Sequence, residues 1–272
     1  MTPESKSEAL LLEASDLRKS FLATTGAFAG KARRINAVDG VSLKLAQGET
    51  LAIVGESGSG KTTLARLLLR LEAADSGGVR FFGEDLLAAR GARLRALRRE
   101  MQMVFQDPYA SLDPRMDVEA IVGEPLAIHE PQLARAERRL RVVRTLEAVG
   151  MGADSLRRYP HEFSGGQRQR IGIARALVLR PKLIVADEPV SALDVSVGAQ
   201  ILSLLQELQA EFALTYLVVS HSLPVVAQLA TRIAVMKAGR VVESGEVRQV
   251  LEHPAHAYTQ ALIEAMPELP GD

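Results

Sequence analysis

Hydrophobic residues along the chain fall into two strand patterns. Polar and apolar positions alternate at 41–45 and around 78–82, and glycines bound both segments, so we expect short strands with one exposed face. Three runs are apolar throughout, at 51–54, 183–186 and 216–219. Such runs are typical of strands that are buried on both faces, as in a parallel sheet.

Helical spacing fills the segments between these strands. A helix is predicted over 61–71, and the stretch from about 107 to 180 has helical periodicity, including a helix over 132–149. The apolar positions of that helix are Leu140, Val143 and Leu146, and those of a later helix are Ile201, Leu204, Leu205 and Leu208. Apolar strands alternating with helices predict an α/β fold with a parallel sheet covered on both faces. The helical stretch is interpreted as an insertion into that sheet.

Composition narrows the class of protein. The chain has 272 residues, and its 33 basic and 33 acidic residues give a net charge of zero. A nucleic-acid partner is therefore not expected, because neutralising phosphates requires a basic surplus. Cysteine is absent, which excludes disulfides and thiolate metal sites. No apolar run approaches the roughly 20 residues that span a bilayer, and the polar amino terminus is unlike a signal peptide. We expect a soluble chain whose membrane role, if any, comes through partners.

Arginines concentrate in two clusters. They are Arg90, Arg93, Arg95, Arg98 and Arg99, and then Arg135, Arg138, Arg139, Arg141 and Arg144. A nucleic-acid surface is one interpretation, and solvated helix faces are the other. Acidic residues elsewhere balance the arginines and no aromatic residues interleave with them, so the sequence favours solvated helix faces.

A glycine-rich loop carries the first chemical signal. It consists of Gly55, Glu56, Ser57, Gly58, Ser59, Gly60, Lys61 and Thr62, followed by Thr63. An apolar strand precedes it and a helix follows it, which is the context of a P-loop. Glycines allow positive φ and close approach to phosphates, and the loop amides form an anion-binding nest. Lys61 would contact the β and γ phosphates, and Thr62 is a natural Mg²⁺ ligand.

Two acids end the buried strand at 183–186. Asp187 and Glu188 lie at its carboxyl end, where open α/β sheets bind ligands. Alone, such a pair is common and a capping role would be the default. Together with the P-loop, it predicts a nucleotide triphosphatase in which Asp187 holds Mg²⁺ through water and Glu188 polarises the attacking water.

A third motif identifies a family. Ser164, Gly165, Gly166 and Gln167, preceded by Phe163, resemble the signature of ATP-binding-cassette (ABC) proteins. A helix is predicted over 171–179, so the motif offers amides at a helix amino end as a second anion site. In the family this site acts in trans, closing over the ATP held by the P-loop of a facing subunit. Phe163 stands where leucine is usual.

The resemblance assigns roles to further residues. Gln106 occupies the Q-loop position, where it reaches the metal and the nucleophilic water, and His221 matches the switch histidine at the γ-phosphate. Phe21 matches the aromatic residue that stacks on adenine. The D-loop that connects the two sites matches Ser191, Ala192, Leu193 and Asp194. Ser222 departs from the usual aspartate after the switch histidine, which puts the anchoring of that histidine in doubt. The other four histidines, His129, His161, His253 and His256, lack metal-ligand spacing and are assigned surface or structural roles.

The resemblance implies a fold and a domain plan. It covers about 10–262, as one ATP-binding domain with a RecA-like parallel sheet, an antiparallel β subdomain and the helical subdomain inserted at about 107–180. Residues 263–272 are expected to form a short tail. Many relatives continue into a cysteine-bearing tail, which sometimes holds an iron–sulfur cluster. Such a cluster is not expected in this chain, which lacks cysteine.

Local clues point to a subfamily. Segments 106–115, 159–167 and 253–262 resemble stretches of oligopeptide, dipeptide and nickel importers, with Ala257 replacing a usual proline in the last of them. The resemblance implies ATP and Mg²⁺ as ligands and a second ABC ATPase subunit, in a heterodimer or a homodimer. It also implies two membrane-spanning permease subunits and an extracytoplasmic solute-binding protein that acts with this chain only indirectly. The expected location is the cytoplasmic face of the inner membrane.

Three rival functions remain. A soluble cassette ATPase acting on ribosomes or DNA usually has two cassettes or long insertions, which are not seen here. An exporter ATPase disagrees with the subfamily clues. A non-catalytic regulatory subunit disagrees with the intact residues Lys61, Ser164, Asp187, Glu188 and His221. The cassette does not contact the cargo, so the sequence leaves the choice among oligopeptide, dipeptide, nickel or another solute open.

Overall fold

A computed structural model describes residues 9–24, 32–107 and 109–265. Its strands are β1 (Leu10–Thr24), β2 (Ala32–Ala46), β3 (Thr50–Val54), β4 (Ser76–Phe81), β5 (Glu84–Asp85), β6 (Met101–Val104), β7 (Leu183–Asp187), β8 (Thr215–Ser220), β9 (Arg232–Lys237) and β10 (Arg240–Glu246). Its α-helices are α1 (Lys61–Leu68), α2 (Gly91–Glu100), α3 (Val118–His129), α4 (Arg135–Ala148), α5 (Gly165–Leu177), α6 (Val195–Phe212), α7 (Leu223–Leu229), α8 (Val247–Glu252) and α9 (Ala257–Glu264). Within these ranges, no helix is both long enough and apolar enough to cross a bilayer.

The central sheet has six strands in the order β10-β9-β3-β8-β7-β6. All neighbouring pairs are parallel except β10 with β9. Every residue of β3, β7 and β8 is buried, which explains why these strands appear in the sequence as unbroken apolar runs. The carboxyl ends of these three strands lie at one edge of the sheet, where the candidate site forms.

A second sheet is antiparallel and has the order β2-β1-β4-β5. The predicted strand at 41–45 lies within β2, and the one at 78–82 lies in β4 except for Phe82, which follows the end of that strand. The β1–β2 pairing has several register shifts, so the alternation of polar and apolar residues is interrupted. The fold class predicted from the sequence is confirmed: a parallel α/β core with an antiparallel sheet and inserted helices.

Helices α3, α4 and α5 lie between β6 and β7. Helix α4 buries Val142 and Leu146, whereas the apolar residue Leu140 is 48% exposed. The buried face of the helix therefore passes through Val142 and not through Leu140. Helix α5 begins at Gly165, six residues before the predicted start at Ile171.

The two faces of the central sheet pack against different layers. Ile184 and Ala186 face the hydrophobic cluster formed with α3–α6, and Leu183 and Val185 face the cluster formed with α1 and the antiparallel sheet. This alternation follows from the two-residue period of a strand. The helices α7–α9 pack against β3 and β9 through a third hydrophobic cluster. The site edge is therefore supported from both faces.

Several arginines of the two clusters contact acids or backbone carbonyls. Arg93 pairs with Glu84, and Arg99 and Arg141 both bind the buried carboxylate of Glu130 at 2.7 and 2.9 Å. Arg98 donates to a backbone carbonyl and Arg139 pairs with Glu119. These contacts support the interpretation of the clusters as helix faces.

Candidate functional site

The phosphate loop connects β3 to α1 and is packed closely from behind. Gly55, Gly58 and Gly60 all have positive φ, as the motif requires. A Cβ on Gly55 would overlap the carbonyl oxygen of Met236, and a Cβ on Gly60 would overlap that of Ala37. Only glycine fits these two positions, so the backbone of the loop lies directly against β9 and β2.

Two further contacts fix the loop, and the sequence did not predict them. The amide of Gly239 donates to the carbonyl of Ser59 at 2.9 Å, from the turn between β9 and β10. The amide of Glu56 donates to the hydroxyl of Tyr258 in α9 at 3.1 Å. The segment 253–262 stood out in the sequence by resemblance alone, which gave Tyr258 no role.

Lys61 lies beneath the loop and is only 5% exposed. Its ammonium group donates to the carbonyls of Gly55 and Glu56 at 2.8 and 2.9 Å. Burial lowers its pKa from the ordinary value, an effect that the carboxylates of Glu188 and Asp187 oppose. The charge is thus held inside the loop, where a phosphate could exchange for the two carbonyl contacts.

Thr62 and Asp187 meet where the loop helix faces β7. The Thr62 hydroxyl donates to a carboxylate oxygen of Asp187 at 3.2 Å, and Asp187 is 4% exposed. Burial raises the pKa of Asp187, and the hydrogen bond from Thr62 opposes that shift. A buried carboxylate favours a cationic neighbour. The pair therefore offers two hard oxygen donors of the kind that Mg²⁺ prefers.

Glu188 forms the centre of a three-residue cluster. Gln106 donates to its Oε2 at 2.8 Å, and His221 Nδ1 lies 3.0 Å from its Oε1. The backbone of Glu188 has φ of +47°, and its amide donates to the carbonyl of Val219 in the neighbouring strand. A carboxylate contacted at both oxygens, on a backbone fixed by a third hydrogen bond, can be presented in one orientation, as a general base requires. Gln106, which the resemblance places at the metal, contacts Glu188 in this structure and also lines the cavity that contains Thr62 and Asp187.

Among the described hydrogen bonds, Ser222 makes none to the preceding His221. Ser222 begins α7 without a side-chain cap, and its amide donates to the hydroxyl of Ser220 at 2.9 Å. The His221 side chain is 58% exposed, and its described hydrogen bond is the one to Glu188. The orientation of His221 therefore depends on Glu188.

The signature residues begin α5. Ser164 caps the helix: its hydroxyl accepts from the amide of Gln167 at 3.4 Å, while the Gln167 side chain accepts from the amide of Ser164 at 3.0 Å. Ser164 and Gln167 are exposed, and a Cβ on Gly166 would overlap Val197 of α6. Among the described residues, the signature does not line the cavity of about 560 Å³ beside Glu188. The exposed start of α5 is therefore not part of the cavity beside the chain's own P-loop.

The D-loop residues connect these two regions. The Ser191 hydroxyl donates to the backbone carbonyl of Glu188 at 3.1 Å. Asp194 caps α6 through the amide of Val197 at 2.9 Å, and the side chain of Leu193 lies against Gly165. Ala192 lies between them in the same turn. This short segment therefore contacts both the start of α5 and the backbone of Glu188.

Phe21 lies apart from this cluster, on β1. Its ring is 43% exposed, with the Lys19 ammonium 5.3 Å from the ring centroid. An exposed ring is accessible for stacking, and adenine stacking on Phe21 stays a prediction.

Pro108 and residues 266–272 of the predicted tail lie outside the described residues. His256 caps α9 by accepting from the amide of Tyr258, in agreement with a structural role.

The chain matches two family models. One is described as ABC transporter and matches residues 38–191, more than half of the chain. The other is described as the C-terminal region of oligopeptide/dipeptide transporters and matches residues 242–272.

Individual relatives are similar over most of this chain. The oligopeptide transport ATP-binding protein OppF of Streptococcus mutans is 50% identical over 88% of this chain and 78% of its own. The dipeptide transport ATP-binding protein DppF of Haemophilus influenzae is 48% identical over 99% of this chain and 82% of its own. Among solved structures, the dimeric cassette MJ0796 in a post-hydrolysis state with ADP and phosphate superposes with a TM-score of 0.76 at 30% identity, covering 88% of this chain and 99% of that one.

Proposed function

Because this chain belongs to the ABC transporter family, we propose that it is the ATP-hydrolysing subunit of a peptide importer. The observation that carries the proposal is the match of the carboxyl segment, 242–272, to a region described for oligopeptide/dipeptide transporters. Relatives named for oligopeptide and dipeptide transport are 48–50% identical over most of the chain. Oligopeptides and dipeptides are therefore the proposed cargo classes.

The phosphates of ATP would bind between the loop amides and Lys61. The ammonium group would leave the carbonyls of Gly55 and Glu56 for the phosphate oxygens, which exchanges two neutral acceptors for charged ones. Thr62 and Asp187 would hold Mg²⁺, which when bound neutralises phosphate charge. Their oxygens already lie 3.2 Å apart in the wall of one cavity, which suits this role.

Glu188 would accept the proton of the attacking water. Its carboxylate is oriented by Gln106 and His221, so one oxygen lone pair could point at a water that lies next to the γ-phosphate. The orientation of the carboxylate matters as well as its basicity, because hydrolysis depends on holding the nucleophile in line with the leaving group. The described hydrogen bond of the His221 ring is the one to Glu188, so the ring would be able to turn toward the γ-phosphate.

The second half of the site would come from a facing cassette. Among the described residues, those that begin α5 do not line the cavity beside the chain's own loop, so a neighbouring chain would supply that group to each nucleotide. We propose a heterodimer with a related cassette, with a homodimer as the alternative. Closure of the pair would exclude water and strengthen each contact to the γ-phosphate.

The cavity that contains Thr62 and Asp187 continues as a groove that fits a permease contact. Its volume is about 700 Å³, and it lies between β6, α1 and α3. Its apolar lining includes Phe105, Met101 and Leu71, and its charged lining includes Glu124 and Arg175. We propose that the transporter has two permease subunits and that each docks a short cytoplasmic helix in the groove of its own cassette. This contact would place the chain at the cytoplasmic face of the inner membrane. The solute-binding protein would act on the other side, without contact to this chain.

Cysteine crosslinking tests the groove. Ala110→Cys and Ser111→Cys are expected to crosslink to the permease in membranes, because both positions line the groove. Arg248→Cys is the control, since this side chain is 86% exposed on α8, beyond the opposite edge of the central sheet. Crosslinking from Arg248→Cys with none from the groove positions would place the permease elsewhere.

Uptake in cells tests the cargo. Deletion of the gene is expected to abolish uptake of a labelled oligopeptide, and the wild-type gene, but not the Glu188→Gln variant, should restore it. The variant keeps the shape of the site and removes the base. When the variant and the wild-type protein are expressed at equal levels, a difference in uptake therefore reports the loss of hydrolysis. Unchanged peptide uptake with lost nickel uptake would contradict the peptide assignment.

A further inference from the structure

The carboxyl segment of the chain returns to the phosphate loop and holds it. Helix α9 packs on the sheet through Tyr258, Thr259 and Leu262, and Tyr258 is only 7% exposed. The Tyr258 hydroxyl accepts a hydrogen bond from the amide of Glu56, although the two residues are 202 positions apart. Tyr258 therefore supplies a partner for a loop amide that the loop itself does not satisfy.

The same peptide unit is held at both of its ends. The carbonyl of Gly55 and the amide of Glu56 belong to one planar peptide group. The carbonyl accepts from the Lys61 ammonium at 2.8 Å, and the amide donates to Tyr258 at 3.1 Å. When Lys61 turns to a phosphate it gives up the carbonyl, and Tyr258 remains to hold the orientation of that peptide group.

Tyr258 is itself fixed in place. The Lys237 ammonium lies 4.4 Å from the centroid of its ring. The Glu243 carboxylate accepts from the amides of Ala255 and His256 at 2.8 and 3.1 Å, which fastens the start of the segment to β10. A tyrosine has two side-chain torsions, so little freedom is lost when the ring is buried in this way. The Tyr258 side chain therefore connects the sheet to the loop and has little freedom to move.

Helix α9 also forms one wall of the catalytic cavity. Ala261, Leu262 and Ala265 line the cavity of about 560 Å³ that contains Glu188 and His221. The carboxyl segment is thus adjacent to the loop and to the hydrolytic residues. This proximity places it where it can affect nucleotide binding directly.

We propose that Tyr258 is a positioning residue for the phosphate loop, through which the carboxyl segment sets the affinity for nucleotide. It orients the Gly55–Glu56 peptide group, so the loop is already shaped for phosphates before ligand arrives. Pre-organisation of this kind raises affinity because less ordering remains to be done on binding. The proposal rests on ATP binding by this chain and is independent of the transported solute.

The test is removal of one hydroxyl. Tyr258→Phe keeps the ring and its packing and is expected to raise the Kd for both ATP and ADP by about 3- to 10-fold, the range of one lost hydrogen bond. Calorimetry on the full chain with Mg²⁺ measures both values. In the assembled transporter, KM for ATP should rise by the same factor with kcat unchanged, because the contact is equal in the ground and transition states.

Tyr216→Phe is the matched control. Tyr216 lies buried in β8, and its hydroxyl has no hydrogen-bond partner among the described residues, so the same deletion there should leave Kd and KM unchanged. Glu243→Ala is a second variant, which loosens the segment without altering Tyr258 and should raise Kd in the same direction. Unchanged Kd in Tyr258→Phe would overturn the proposal, and a lower melting temperature in the same variant would then limit Tyr258 to stabilising the fold. A rise in Kd for ATP alone would also contradict it, since the loop binds the phosphates that both nucleotides share.

Discussion

Glu188→Gln is expected to lower the rate of ATP hydrolysis by about 10²- to 10⁴-fold, the usual contribution of a general base. Glutamine has the same shape, so it can still accept from Gln106 and donate to His221. Binding of ATP should therefore stay near the wild-type value. Phosphate release at saturating ATP measures the first quantity, and calorimetry measures the second.

Lys61→Ala provides the contrast within the same site. It removes a buried charge that contacts the loop carbonyls and would contact the phosphates, so the affinity for ATP should fall. Loss of binding in one variant and loss of turnover in the other would separate the two roles. Near-normal hydrolysis in Glu188→Gln would remove Glu188 from the role of base.

Ser164→Arg is expected to abolish ATP-dependent association of the cassettes while leaving ATP binding to the single chain intact. Ser164 is exposed at the start of α5, where the amides form the proposed trans site, and an arginine side chain would fill it. Sedimentation in the Glu188→Gln background, with Mg²⁺ and the natural partner chain if the dimer is mixed, measures the association. ADP should not support it, because ADP lacks the phosphate that bridges the two halves.

Ser164→Ala separates blockage from loss of the helix cap. Alanine loses the capping hydroxyl, which costs about 1 kcal/mol of stability, and leaves the amides open. It should therefore lower the melting temperature and retain measurable association. A dimer that forms equally well with ADP, or that survives Ser164→Arg, would mean that the signature does not reach a second nucleotide.

The buried strands could be predicted because burial on both faces leaves a simple signal. In β7, residues facing either layer must be apolar, so 183–186 forms an unbroken apolar run. The phosphate loop and the acids after β7 follow these runs directly. Local patterning was therefore sufficient to predict that each motif follows the carboxyl end of a buried strand.

Elements without a continuous pattern were harder to predict. The β1–β2 pairing contains register shifts that break alternation, so most of its length was not predicted. The start of α5 was placed too late because Gly165 and Gly166 have low helix propensity. The serine and glutamine three residues apart form a capping box, which is a sequence signal for the true start.

Contacts between distant segments could not be predicted from one sequence. Tyr258 meets Glu56, and Gly239 meets Ser59, only because β9, β10 and α9 fold back over the loop. No local period or motif encodes such pairings. The hydrogen bond from Gln106 to Glu188 likewise depends on the adjacency of β6 and β7 in the sheet.

The most direct test of the proposed function is peptide uptake by purified components. The complete transporter, reconstituted in liposomes with its solute-binding protein on the side opposite this chain, should move a labelled oligopeptide only when ATP and Mg²⁺ are on the side of this chain. Glu188→Gln should abolish that transport, and collapse of the proton gradient should not affect it. Transport that continues with Glu188→Gln, or that requires only an ion gradient, would contradict the conclusion that ATP hydrolysis by this chain powers peptide import.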